Sequence, residues 1–181
     1  NEERKIFWGC GVCLMINREY YINSGGFDED FFMYAEEFDF CWRANLYGKE
    51  IWFSPKSVIY HMGSFSVKKQ DIHIKKDHLI TRNHLLVFLK NYSFLNIVKL
   101  LPFRMLLEII AAIRFTPFKT LGLVKSTFTV PFFFIYKTYK KRKKIQENRK
   151  ILDSSLSPII NNSIVILYFL HDKKTFKDIQ I

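Results

Sequence analysis

Cysteine is scarce in this chain of 181 residues: Cys10, Cys13 and Cys41 are the full set. Cys10 and Cys13 have C-x-x-C spacing, but no second Cys pair follows, which argues against a structural zinc site. The odd number fits buried free thiols in a reducing compartment. Acids are also in short supply, with 17 Asp and Glu against 28 Lys and Arg and a formal net charge of +11. Such a balance fits nucleic acid, a phosphorylated ligand or an anionic membrane surface as a partner. The imbalance is uneven. Residues 1–61 hold most of the acids and the basic excess lies after about residue 67, so the two parts have different jobs. Long uncharged apolar runs are missing. The best candidate for a membrane span, residues 97–115, contains Lys99, Arg104, Glu108 and Arg114, and each ionised group at a bilayer centre costs roughly 2.5–3.5 kcal/mol. Residues 121–136 include Lys125 and fall short of the roughly 20 residues a span requires. An amphipathic helix lying in the membrane interface fits better. No internal repeat is visible.

Apolar residues are plentiful. The chain is 49% hydrophobic with 19 Phe, enough for one domain with a core and too much for a disordered chain. It enters an apolar segment at once, residues 6–16, from which we expect further sequence upstream. That segment reads as a buried strand with a glycine break. Asn17 is placed to cap a short helix over residues 18–23, ended by Gly25-Gly26. Residues 27–34 form an acidic, aromatic loop, and residues 35–47 have helical spacing up to Gly48. Short strands are expected at 51–54 and 57–60 around Pro55, giving the edge of an α/β layer. Residues 63–76 read as a polar, basic, mobile loop and 79–90 as a helix. Residues 94–136 form a long apolar helical stretch broken by Pro102, Pro117 and Pro131. A basic run covers 137–150, and 163–170 is a last apolar element.

The stretch from Gly25 to Arg43, GGFDEDFFMYAEEFDFCWR, carries the chemistry. Six acids, Asp28, Glu29, Asp30, Glu36, Glu37 and Asp39, alternate with aromatics. On a helix, Glu36, Asp39 and Arg43 share one stripe, and Glu37 projects about 100° away. Arg43 can therefore neutralise a carboxylate of its own stripe while Glu37 points elsewhere. A carboxylate so placed suits general-base chemistry on a hydroxyl, typically worth 10²–10⁴ in rate. A solvated acidic helix face with an ordinary ion pair is the simpler reading of the spacing alone.

This run resembles the acceptor-side motif of the family 2 inverting glycosyltransferases of GT-A fold, roughly GGFDExFFxYxEDxDLxxR. The matching positions are Gly25, Gly26, Phe27, Asp28, Glu29, Phe31, Phe32, Tyr34, Glu36, Asp39 and Arg43. Trp8, Gly11 and Cys13 to Arg18 resemble the strand and turn before it. Pro55 and Tyr60-His61-Met62-Gly63-Ser64 resemble the element after it, and Arg82-Asn83 and Lys90-Asn91 resemble the R-N and K-N of the tail. The later segments resemble the extension of rhamnosyltransferase-like bacterial members.

The resemblance implies an α/β fold: an incomplete GT-A (nucleotide-diphospho-sugar transferase) domain over 1–67. It is followed by a mostly helical, basic, membrane-associating extension over 68–150 and a tail over 151–181. It also implies sugar transfer, with inversion, from a nucleotide-diphosphate sugar to a hydroxyl on a glycan or lipid-linked acceptor, in cell-surface glycan synthesis. The expected location is cytoplasmic, on the inner face of the membrane, against anionic lipid. Glu37 takes the family's base position, where an Asp is usual, and Glu36 could share the role. Gly11, Asp28, Glu29, Trp42 and Arg43 are candidate substrate contacts. Asp28 and Glu29 could instead only order the loop, Trp42 could pack in the core, and Arg43 could pair with Asp39 or Glu36. Asp39, Gly25 and Gly26 are expected to be structural. His61 is either structural or a contact to metal or diphosphate. A divalent cation, Mg or Mn, is implied, held mainly by an Asp-x-Asp motif outside this chain. Asp28-Glu29-Asp30 has that form by letters but lies in the acceptor loop. The chain alone is therefore expected to be inactive. A rival reading is a non-enzymatic, basic, amphipathic interaction module on a membrane or nucleic acid. Nucleic acid is disfavoured, because the aromatics of residues 27–42 stand among acids that repel phosphates.

Overall fold

A computed structural model describes residues 2–62, 73–114, 130 and 134–156. Asn17 accepts a hydrogen bond from the Tyr20 amide at 2.9 Å and so opens helix α1 (Arg18–Asn23). The chain then turns through Gly25 and Gly26 at φ +86° and +60°. A Cβ on Gly26 would lie 3.0 Å from the Tyr21 ring, so both the dihedral and the close approach require glycine. Helix α2 (Glu36–Leu46) begins with Glu36, Glu37 and Asp39 in its first turn and has Arg43 in its last, the arrangement the helix dipole favours. It is one residue shorter at each end than its spacing predicts. Ala35 is its left-handed N-cap and Tyr47 its C-cap.

Strand β1 (Arg4–Ile6) pairs antiparallel with β2 (Ile51–Phe53), Arg4 opposite Phe53 and Ile6 opposite Ile51. The apolar run at 6–16 is not a buried strand. After Ile6 it leaves the sheet, closes a 3₁₀ turn at Gly11–Cys13 and exposes Val12 and Met15. β2 is too short to pair it further, and glycines at 9 and 11 weaken an extended strand. No strand forms at 57–60. All three cysteines are free, but only Cys41 is buried; Cys10 and Cys13 are exposed.

Helix α3 (His73–Asn91) includes residues 73–76, expected to be loop, and packs on both α2 and α5 (Tyr139–Glu147). Helix α4 (Phe94–Arg114) carries Pro102 within it. One core runs across these elements, with Phe7, Phe31, Trp42 and Leu46 meeting Leu86, Phe88, Tyr92 and Ile145. Trp42 sits edge-on to Phe7 at 5.5 Å and to Tyr92 at 4.8 Å. After α5 the chain returns to α2, where the amides of Lys150 and Ile151 both donate to the Leu46 carbonyl, at 2.8 and 3.1 Å. Residues on both sides of position 67 thus share one hydrophobic centre. The expected loop over 63–72, the breaks at Pro117 and Pro131 and the apolar element at 163–170 lie outside the described residues. No helix among those described is long and apolar enough to cross a membrane.

Candidate active site

The acidic loop is held by buried charge. Asp39 is fully buried and meets three donors: Arg43 Nε at 2.9 Å, Lys90 Nζ at 3.0 Å and Asn91 Nδ2 at 2.9 Å. Arg43 then reaches back along the chain and donates to the carbonyls of Ser24 at 3.2 Å and Gly26 at 2.6 Å. Lys90 also bonds Asp28 at 2.5 Å, and Lys141 from α5 bridges Asp28 at 2.6 Å and Asp30 at 2.5 Å. Burial alone would push the Asp28 carboxyl up. The Lys90 charge, with hydrogen bonds from Lys141, Lys90 and the Asp30 amide, instead brings it down to about 2. An unpaired charge at this depth would be costly, so every carboxylate oxygen of Asp28 and Asp39 has a donor.

A second set of contacts holds the loop's backbone. Asn83, fully buried on α3, donates through Nδ2 to the carbonyls of Phe31 at 3.0 Å, Met33 at 2.7 Å and Tyr34 at 2.6 Å. Arg82 Nη2 donates to the carbonyls of Asp30 at 2.9 Å and Phe31 at 3.3 Å, and its Nε bonds Asn83 Oδ1 at 2.9 Å. Between these anchors Phe32, Tyr34 and Ala35 have φ of +60°, +70° and +70°. Positive φ in non-glycine residues costs on the order of 1–3 kcal/mol each, and surrounding structure must hold it in place. Phe31 is buried while Phe32 is 80% exposed.

The strained segment leads directly into Glu36 and Glu37. Both line a cavity of about 790 Å³ shared with Trp8, Gly11, Tyr34, His61 and His84. Gly11 forms the wall against Glu37, since a Cβ on it would lie 3.5 Å from Glu37 Cγ. Glu36 Oε2 is buried and has no hydrogen-bond partner among the described residues. Unpaired buried acceptors are uncommon and mark places built to receive a donor. Ile80 and His84, one helical turn apart on α3, close another side. Crowding by protein atoms, and next the Arg104 charge, push the His84 imidazole below the ordinary histidine range, with Glu37 acting the other way. His84 therefore enters the cavity as a neutral group at pH 7, able both to donate and to accept.

The expected site residues thus divide. Glu36, Glu37, Gly11 and His61 meet at one cavity. Arg43 pairs with Asp39, not Glu36, and Trp42 is buried among aromatic rings. Asp28, Glu29 and Arg43 flank a separate, smaller recess of about 330 Å³ with Ser24, Gly25 and Lys144. Gly25 and Gly26 form the turn beneath it. His84 is not among the expected site residues: it is exposed on α3 and also lines the cavity, and its i, i+4 relation to Ile80 is the signal that would find it. Among the described residues no three His, Cys, Asp or Glu side chains converge as a metal would require. These residues do not fit a metal centre by themselves, His61 included.

Comparison with known proteins gives this arrangement a relative. The chain is 32% identical over 83 residues to an N-acetylglucosaminyl-diphospho-decaprenol L-rhamnosyltransferase of Mycobacterium tuberculosis strain CDC 1551 / Oshkosh, and equally to that of strain H37Rv. A distant relative of this chain is a glycosyltransferase. The match covers 44% of this chain and 26% of the relative, so the chain spans about a quarter of the length of the curated proteins it matches. No protein-family model matches the chain, and no solved structure matches it.

Proposed function

We propose that this chain is the acceptor-side part of an inverting, GT-A, family 2 glycosyltransferase that moves a sugar from a nucleotide-diphosphate donor to a hydroxyl of a glycan or lipid-linked acceptor in cell-surface glycan synthesis. The observation that carries this reading is the pair Glu36 and Glu37 on one roomy cavity, at the end of a strained, doubly anchored loop. The acceptor oxygen attacks the anomeric carbon as the bond from that carbon to the diphosphate oxygen breaks. The acceptor proton passes to the Glu37 carboxylate in the same step, and attack opposite the leaving group inverts the anomeric centre. Glu36 and neutral His84 hold acceptor hydroxyls in place, which lowers the entropic part of the barrier. A divalent cation would stabilise the leaving diphosphate when bound, on residues outside those described.

The same reading places the enzyme on the cytoplasmic face of an anionic membrane. Leu95, Val98, Leu106, Ile109 and Ile110 recur at helical spacing along α4 and are all exposed, and Lys140, Lys143 and Lys144 of α5 are exposed as well. An apolar stripe and exposed lysines together are what an interfacial surface requires.

The deciding experiment is turnover of the enzyme containing this chain, wild type against Glu37→Gln, with a panel of nucleotide sugars. The expected loss in kcat is at least about a hundredfold, with donor binding little changed. A kcat near wild type removes Glu37 from the role of base. The 181-residue chain alone is expected to give no turnover, because in this reading the donor-binding residues lie outside it; robust transfer by it would overturn that boundary.

A further inference from the structure

Arg82 and Asn83 face a loop some fifty residues away in sequence, and no step of the chemistry above uses them. Their hydrogen bonds to that loop go to backbone carbonyls, and Arg82 Nε also bonds Asn83 Oδ1. Between them they receive the carbonyls of Asp30, Phe31, Met33 and Tyr34. Three of the four residues from Phe32 to Ala35 are at positive φ without being glycine. A loop of this composition has no local reason to adopt that shape, because the left-handed region is unfavourable for Phe, Tyr and Ala alike. Turning the carbonyls of 31, 33 and 34 toward one point is the consequence of the strained dihedrals. Asn83 Nδ2 stands at that point.

The strain ends where α2 begins. Ala35, the last left-handed residue, is the N-cap of α2, and its carbonyl accepts the first helical bond, from the Asp39 amide at 2.9 Å. The direction in which Glu36 and Glu37 leave the backbone is therefore set by the dihedrals that the α3 pair holds. The same helix supplies Ile80 and His84 to the cavity wall. Loop anchor and cavity wall are thus one rigid element, and the carboxylates are set at a fixed position relative to it.

We propose that Arg82 and Asn83 are positioning residues that, by gathering the carbonyls of residues 30–34, fix the entry of α2 and so aim Glu36 and Glu37 into the acceptor cavity. This rests on the glycosyltransferase reading for its consequence in rate, but not for its consequence in structure. Arg82 and Asn83 are not catalytic residues, since they touch neither the cavity nor the reacting groups. Losing them should misplace a base without removing it, and a displacement of about 1 Å is worth as much as a hundredfold in rate.

The test compares Asn83→Ser, Arg82→Gln and Arg82→Lys with wild type in the enzyme that contains this chain. Two readouts are taken: steady-state kinetics, and amide hydrogen exchange across residues 31–39. Arg82 is only half-buried, so its variants remain folded if Asn83→Ser does not. The expected result is a kcat reduced by roughly tenfold to a hundredfold with KM for donor and acceptor nearly unchanged. Exchange should accelerate at residues 31–39 while that of α1 and α5 stays as in wild type. Arg82→Lys, which keeps one donor for the Asp30 carbonyl, should recover part of the rate. Unaltered kcat in folded variants, or a loss that tracks the unfolded fraction in a melt, overturns the proposal. If wild type transfers no sugar at all, the glycosyltransferase reading fails. The exchange measurement then still decides the anchor: faster exchange confined to 31–39 upholds it, and unchanged exchange refutes it.

Discussion

Replacing Asp28 by Asn removes one negative charge from between two ammonium groups while keeping the side chain's size. In the native protein Lys90 lies 2.5 Å from Asp28 with its side chain only 2% exposed, and Lys141 lies 2.6 Å away on the open side. The Asp28 carboxyl is held at about 2 against an ordinary value of 3.8. A folded-state value below the unfolded one means that the carboxylate contributes stability above about pH 4, and that this is lost as pH falls through about 2. The difference of nearly two pH units corresponds to about 2 kcal/mol at neutral pH, and roughly half of it is gone by pH 3. Breaking a buried ion pair outright typically costs about 3–5 kcal/mol. Lys90 retains Asp39 at 3.0 Å, so the loss should lie at or below the low end of that range. Urea unfolding of wild type and Asp28→Asn at several values between pH 7 and pH 3 measures the gap directly. It should be about 2–3 kcal/mol at pH 7 and narrow steadily toward acid, because wild type protonates the group that the variant lacks. A gap that is absent at pH 7, or that does not change with pH, refutes the assignment of Asp28 to this pair.

Three further outcomes follow from the geometry. Gly11→Val should crowd Glu37, whose Cγ stands 3.5 Å from the first added atom, and lower kcat while leaving the melting temperature near wild type, because Gly11 is exposed. Lys141→Gln should destabilise by less than Asp28→Asn, about 1 kcal/mol or less, since its side chain is 37% exposed and the pair is screened; an equal loss in urea melts would contradict this. Sedimentation with anionic vesicles should weaken with added salt and with Lys140, Lys143 and Lys144 changed to Gln, each lysine contributing on the order of 1 kcal/mol. Equal binding to neutral vesicles would discard the electrostatic part.

The local structure was legible because it is written in short spacings. Asn17 before a short helix, paired glycines after it, and the stripe of Asp39 and Arg43 with Glu37 rotated off it all follow from short-range spacing. The run at 6–16 misled for the same reason: apolar content alone cannot say whether a second strand is long enough to pair with it, and β2 has three residues. The partners of the acidic loop were harder to see, because Lys90, Asn91, Arg82 and Asn83 reach it across about fifty residues or more. Only their spacing hints at the role. Asn83, Lys90 and Asn91 recur after seven and eight residues, two turns of one helix, and so place polar groups on a single face. That face is buried against α2 and its loop. A helix that spends its core-facing positions on Asn and Lys does so against the ordinary preference for apolar residues. The offset lies on the other side of the contact, in carbonyls and carboxylates that a strained loop turns inward and that only such donors can satisfy.

The basic run shows the same division between charge as composition and charge as structure. Sequence presents residues 137–150 as one patch, to be read either as membrane-binding or as solvated. In the fold it divides by helix face. Arg142 donates to the carbonyls of Leu89 at 2.6 Å and Tyr92 at 2.7 Å and so closes the C-terminal end of α3. Lys141 enters the Asp28 and Asp30 pair, and Arg149 pairs with Asp153. On the outer surface of α5 itself stand Lys140, Lys143 and Lys144, while the inner side of the helix is committed to the acidic loop; Lys137 and Lys150, just beyond its ends, are exposed too. A charge count over the whole run therefore overstates the field available to a membrane by every residue that α5 turns inward. The vesicle experiment must vary the outer lysines alone, because changing Lys141 alters the loop and the lipid contact together. Affinity lost on changing the outer three, with the urea melt unmoved, is what separates a lipid-facing surface from a merely solvated one.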